Sequence, residues 1–347
     1  MTILRVISYG RLLALWTMLV ACNRSSPPFS EAPHSHAAKA GPTAEESAST
    51  PHGTHGVETH RAIAQTTADD GRPSAKTNLD REAPTDKATS CGPLDCNSFA
   101  SAEGALAHVV TEARPRVLAV GEIHAQKGHR LAKTPTARFV DVLPWFQNRA
   151  KHLVVELWTG RNDCGDDRVE RVRKAQEPVT SAQADTNKNE YFELGARAKT
   201  LGIMPHALVP SCQDYQTIVN AKSDDLDRML ELTATKTAEL VDTLLKTTHI
   251  PANLPEVITY GGALHNDVSP RHGRERWSFG PHMIRSTEDQ YVELDWVLRE
   301  QVHDGPTFSI QPWYPHFRSE TLEKHFTLYR TGPRSYVLIF PEQRYLQ

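Results

Sequence analysis

The segment Arg116–His129, RVLAVGEIHAQKGH, decides how this chain is read. Val117–Val120 is an unbroken apolar run, the pattern of a strand buried on both faces of a parallel sheet rather than one alternating between core and water. The run stops at Gly121-Glu122-Ile123-His124. Successive side chains of an extended strand point to opposite faces, so Glu122 and His124 point the same way. Gly121 has no Cβ and lets a second backbone or a ligand come close. An acid and an imidazole at the end of a buried strand need partners, because unpaired polar groups are costly away from water.

Two other strands are predicted to end alike. HLVVELW, His152–Trp158, delivers Glu156 after an apolar run, and EVITYGGALHND, Glu256–Asp267, delivers His265 after Gly261 and Gly262, with Asn266 and Asp267 next. Ligands of parallel α/β sheets bind outside the carboxyl ends of the strands. The expectation is that Glu122, His124, Glu156 and His265 meet at one rim.

Working outward, strands and helices alternate. Ser101 caps a helix with Leu106, Val109 and Val110 on one face. TPTARFVDVLPWFQNRA is a second helix, perturbed at Pro144. NEYFELGARAKTLG is a third, closed by Gly202. IMPHALV is a strand. Asp224–Thr248 is a long amphipathic helix whose stripe is Leu226, Met229, Leu230, Val241, Leu244 and Leu245. QYVELDWVL and SYVLIF are later strands. The charged segment Thr159–Asn189 reads as an inserted lid or loop. The fold class is α/β, a mostly parallel central sheet with helices on both faces. No repeat of solenoid period is visible.

The N-terminal quarter differs. Arg5 and Arg11 precede the apolar run Leu12–Ala21, which is too short to span a bilayer permanently. It ends in Leu19-Val20-Ala21-Cys22, which resembles the lipobox of bacterial lipoproteins; residues 1–22 are read as a signal peptide, with Cys22 lipidated and anchoring the protein in the bacterial cell envelope. Residues 23–90 are Pro-, Ser-, Ala- and Thr-rich with little to bury, and read as a disordered tether with a reach on the order of 45 Å. The folded domain is residues 91–347. With 347 residues and a net charge of −3, nothing points to nucleic acid as a partner. Of five cysteines, four remain beside Cys22. Disulfides persist in exported proteins, and the expected pairs are Cys91–Cys96, across the turn CGPLDC, and Cys164–Cys212, although four cysteines allow three pairings. The second staple would hold Ser211, Cys212 and Asp214 near the site rim.

The two Gly-x-x-His motifs, Gly121–His124 and Gly262–His265, with the strand-end Glu156 between them, resemble one superfamily. It includes ChaN-like haem-binding lipoproteins, TraB/PrgY proteins, Tiki metalloproteases and erythromycin esterases. The resemblance runs from Arg116 to the C-terminus. It is nearest the ChaN-like branch, given the lipobox, the size, and His129 following His124 in GEIHAQKGH. It implies a ChaN- or erythromycin-esterase-like domain with Glu122, His124, Glu156 and His265 as its working residues.

Three chemistries follow. ChaN-like relatives imply haem, with an axial ligand from His129, Tyr260, Tyr215 or His206. Tiki-like relatives imply a divalent metal (Mn, Co, Fe or Zn) on His124, His265 and Glu156. Erythromycin-esterase-like relatives imply hydrolysis by a water activated without a metal, with His124 or a glutamate as base. The expected function is thus a membrane-anchored lipoprotein binding haem or a metal, or alternatively an esterase- or peptidase-like hydrolase. The ligand would be haem or another small molecule. Arg271, Arg274 and Arg276, just after His265, would attract an anionic ligand.

Overall fold

A computed structural model describes residues 86–129, 131–159, 162–248, 254–318 and 322–345. The readings of residues 1–22, of the Cys22 anchor and of the tether up to residue 85 lie outside the described residues. No helix among the described residues is long and apolar enough to cross a membrane.

Nine strands form one sheet: β1 Thr89–Gly92, β2 Cys96–Phe99, β3 Val117–Glu122, β4 His152–Trp158, β5 Met204–Leu208, β6 Val257–Gly262, β7 Tyr291–Leu298, β8 Phe326–Gly332 and β9 Ser335–Phe340. Their order across the sheet is β1-β2-β8-β9-β7-β3-β6-β4-β5. From β9 to β5 every neighbouring pair is parallel. The carboxyl ends of β7, β3, β6, β4 and β5 therefore share one rim. At the other edge β1, β2 and β8 run antiparallel.

Helices cover both faces, which is what the unbroken apolar strands require. Leu118, Val120, Ile258, Leu294 and Trp296 pack under α1 (Ala102–Ala113), α2 (Pro135–Val142) and α4 (Asn187–Thr200), and fully burying such a side chain stabilises by about 2 kcal/mol. Val117, Ala119, Val154 and Tyr291 face the long helix α6 (Asp225–Thr247) and α8 (Gly280–Ser286). The predicted cap Ser101 stands at its helix start, and Thr134 caps the second helix. Ser101 Oγ accepts from the Gly104 amide at 3.0 Å, and Thr134 Oγ1 accepts from the Ala137 amide at 3.1 Å. Pro144 tightens the end of the second helix into a 3-10 turn, Leu143–Phe146.

The expected lid is different in kind. About half of Thr159–Asn189 is a 15-residue helix, α3 (Asp166–Thr180). Its apolar stripe is thin. Val172 and Ala175 are buried in a small cluster with Tyr215 and Ile218 of α5 (Cys212–Ala221) and Met229 of α6, while Arg173 pairs with Glu170 and Glu177 on the wet face. Both expected disulfides are present, Cys91–Cys96 closing the β1–β2 hairpin and Cys164–Cys212 joining the start of α3 to α5.

Candidate active site

Glu122 is the last residue of β3 and is 3 % exposed. Each of its carboxylate oxygens accepts two hydrogen bonds. Oε1 takes the Tyr191 hydroxyl at 3.0 Å and His124 Nδ1 at 2.8 Å. Oε2 takes the Thr136 hydroxyl at 3.0 Å and the Tyr260 hydroxyl. With four donors in place the carboxylate is saturated. It has no free lone pair with which to take a proton from anything else, so it orients His124. Burial pushes the Tyr191 and Tyr260 phenols well above their usual range, with the Glu122 charge adding to it, so both stay neutral donors.

His124 donates through Nδ1 to Glu122, which leaves the Nε2 lone pair outward. Burial disfavours its imidazolium, but the hydrogen bond and charge of Glu122, aided by the charge of Glu156, outweigh that and raise its pKa above the ordinary 6.5. Its backbone is clamped on both sides. Gln301 Nε2 donates to the Ile123 carbonyl at 2.8 Å and Gln126 Nε2 to the His124 carbonyl at 2.9 Å. The segment after α3 pins the next turn, with Asn187 Nδ2 on the Ala125 carbonyl at 3.2 Å and the Ala184 amide on the same oxygen at 2.8 Å.

Glu156 comes from β4, two strands away. Its Oε2 accepts the Gly262 amide at 2.6 Å. The two glycines of β6 make this possible. A Cβ on Gly261 would stand 2.4 Å from Glu156 Oε2 and 2.6 Å from its Cβ, so the glutamate lies where that side chain would be. His265, in the short helix α7 (Ala263–Asn266), donates Nδ1–H to the Trp277 carbonyl at 2.6 Å. Its Nε2 therefore faces Glu156 Oε1, at 3.5 Å.

The point that joins the two halves is Gly262. A Cβ there would sit 3.0 Å from His124 Nε2 and 3.5 Å from Glu156 Oε2. The four residues read from the sequence thus converge on the carboxyl ends of the adjacent strands β3, β6 and β4. Beneath them a small cavity of about 10 Å³, room for one water, is lined by Glu156, Gly262, His265 and Thr237 among others.

The other candidates stand elsewhere. Tyr260 is 1 % exposed, stacks on Phe139 at 4.5 Å and bonds to Glu122 rather than facing a cofactor. His129 is exposed on the loop after β3. Tyr215 packs near Trp158 in the α3–α5 cluster. His206 bonds His152 at 2.9 Å near the amino end of β4. Ser211 and Asp214 cap α5, and Asp214 pairs with Lys236, so their bonds are local. Among the described residues, the grouped acidic, thiol and imidazole ligand atoms that fall within 4.8 Å of one another belong to Asp163, Cys164 and Cys212, and both cysteines are in the disulfide. His124, Glu156 and His265 form no such group. Thr136 and Tyr191 are the site residues that sequence reading misses. Tyr191 shares its helix face with Leu194 and Ala198, so its spacing is that of core.

No protein-family model matches this sequence, and no curated protein does. Among solved structures, the type III effector HopBA1 is similar at 11% identity, over 76% of this chain and 100% of that one, with a TM-score of 0.32, a likeness too slight to carry any conclusion.

Proposed function

We propose that this chain is a hydrolase of carboxyl esters or amides, with His124 as general base, Glu122 as its positioning residue, and Glu156 with His265 completing the site. The observation that carries this reading is the saturated Glu122 carboxylate behind His124, which leaves one unengaged imidazole nitrogen facing Glu156. A water at Nε2 gives its proton to His124 as its oxygen bonds the acyl carbon. Glu122 stabilises the imidazolium through Nδ1–H. The bond from acyl carbon to the leaving oxygen or nitrogen then breaks, and that atom takes the proton back from His124. The paired Gly-x-x-His strands and the glutamate between them support placing the chain, as a distant member, with the ChaN, Tiki and erythromycin esterase group.

A second reading puts a divalent cation on His124, His265 and Glu156. Histidine ligands usually donate their other ring nitrogen to a carboxylate or backbone carbonyl. Both imidazoles here do so, to Glu122 and to the Trp277 carbonyl. The donor set suits Mn, Co, Fe or Zn, which would polarise a carbonyl or acidify a water. The three side chains would have to draw closer to hold it. No feature of the site's geometry favours haem.

The test is hydrolysis of a panel of 4-nitrophenyl esters and short peptides by the purified chain. Turnover should fall by 10²-fold or more in His124→Ala with the circular dichroism unchanged. Absence of turnover on the whole panel, or wild-type rates in the variant, would remove the proposal. Metal analysis as purified, with activity before and after chelation, separates the two readings. We further propose an envelope location through lipidated Cys22. The two disulfides are in keeping with an oxidising compartment, and fatty-acid labelling lost in Cys22→Ala would test the anchor.

A further inference from the structure

The segment that follows His265 is folded back onto it. The Trp277 carbonyl takes His265 Nδ1–H at 2.6 Å, the Phe279 amide donates to the His265 carbonyl at 2.9 Å, and the Ser278 hydroxyl donates to the His265 and Asp267 carbonyls at 3.0 and 2.7 Å. The loop bearing Arg271 and Arg274 is thereby tied at its far end to His265, the site residue from which it starts. The Arg274 amide donates to the Arg271 carbonyl and the Trp277 amide to the Arg274 carbonyl, both at 2.9 Å. The Arg274 guanidinium lies over the Trp277 ring, 5.5 Å from its centroid.

Both arginines are half-buried, and neither guanidinium makes a hydrogen bond or close ion pair with a described residue. They differ in this from Arg276, which is exposed and reaches Glu231 at 3.2 Å. Asp267 is the nearby acid, and its Oδ1 is taken by the Ser269 amide at 2.8 Å. Burial, then the neighbouring Arg271 charge, lowers the Arg274 pKa, with Asp267 only partly opposing them. Two neighbouring cations in part-buried surroundings, with one nearby acid that neither contacts directly, are a receptor for an anion.

We propose that the substrate of this site carries an anionic group, a carboxylate or a phosphate, bound by Arg271 and Arg274 while the bond to be cleaved lies at His124. This rests on the hydrolase reading, and the test keeps the two apart. Binding of inorganic phosphate and of succinate to the full chain is measured by titration calorimetry. In parallel, kcat/KM is measured for a matched ester pair, 4-nitrophenyl butyrate and mono-4-nitrophenyl succinate. One of the two anions should bind, and which one tells phosphate from carboxylate. Binding should weaken at least 10-fold in R271Q/R274Q and stay unchanged in R276Q. The preference for the anionic ester should fall by a similar factor, mostly through KM. Should the double variant not fold, R271Q and R274Q singly are each expected to weaken binding. Failure of both anions to bind, or equal binding by wild type and R271Q/R274Q, would overturn the proposal. Anion binding lost in the variant, with neither ester turned over, would keep the anion site and count against the hydrolase reading instead.

Discussion

At the scale of single residues the site depends on one carboxylate with no free acceptor and on glycines that leave room. Glu122 acts on His124 by charge and hydrogen bond, so its replacement should be read in the pH profile. The imidazolium of His124 is favoured above the ordinary 6.5, and the neutral ring is the base. The acid limb of kcat/KM should therefore lie above pH 6.5 in the wild type. In E122Q the charge is gone, the limb should move to lower pH, and the plateau rate should fall about 10-fold or more. An unmoved limb would mean that a different group titrates. Gly262 offers a sharper test of place. Its backbone, at φ −67° and ψ 136°, is one that alanine adopts freely, so G262A should fold. Its methyl would stand 3.0 Å from His124 Nε2 and occupy the space shared with Glu156. Turnover should drop by 10²-fold with a melting temperature within a few degrees of wild type. G121A should do the reverse damage, since its methyl would meet the Ala263 Cα at 2.7 Å and unseat α7, costing stability first.

At the scale of elements, α3 and α5 form a satellite on the rim, stapled by Cys164–Cys212, with a small cluster of their own. Opening a disulfide that spans 48 residues costs roughly 4 kcal/mol on the chain-entropy account. The loss should be local. In C164S/C212S, hydrogen exchange should accelerate across Asp166–Thr180 and at the Ala125 loop that the end of this segment pins, while β3 and β6 keep their protection. Equal loss in all of them would show that the satellite and the sheet unfold as one. This is also where the sequence was hardest to read. The parallel strands were legible because both faces are buried and the apolar runs are continuous. The first helix start was legible because Ser101 is a cap. The helix α3 was not, since a stripe of two buried residues in a charged segment carries almost no periodic signal. The hairpin β1–β2 and strand β8 were missed as well: short edge strands such as CNSF bury only their end residues, and β8 opens after a turn-rich stretch.

At the scale of the whole molecule, the convergence of Glu122, His124, Glu156 and His265 was legible because three strands of one parallel sheet bring their carboxyl ends to one rim by topology alone. What no local pattern carried was the wiring between layers: Tyr191 and Thr136 reach Glu122 from α4 and α2, and Trp277 holds His265 from a later loop. The same sheet carries a second set of acids on its other face, Glu293 buried and Asp295 half-buried, and these set how stability should vary with pH. Asp295 of β7 is pushed up to about 7 by burial and the charge of Asp267, and its neighbour Glu293 is raised well above its usual range by burial and by Asp295. In the unfolded chain an aspartate releases its proton near pH 4. Folding therefore takes up a proton between about pH 4 and 7, and stability falls as pH rises through that window, by on the order of 4 kcal/mol from Asp295 at most. His124, also raised, adds a loss of the same sign as pH climbs through its own folded pKa. The two are separable. D295N keeps a neutral side chain at every pH, so its melting temperature should decline less than that of the wild type between pH 5 and 8, and should exceed it at pH 8. E122Q should change the profile only near and above pH 6.5. Parallel melting curves for wild type and D295N across that range would mean that the Asp295 carboxyl is ionised throughout and does not set the profile.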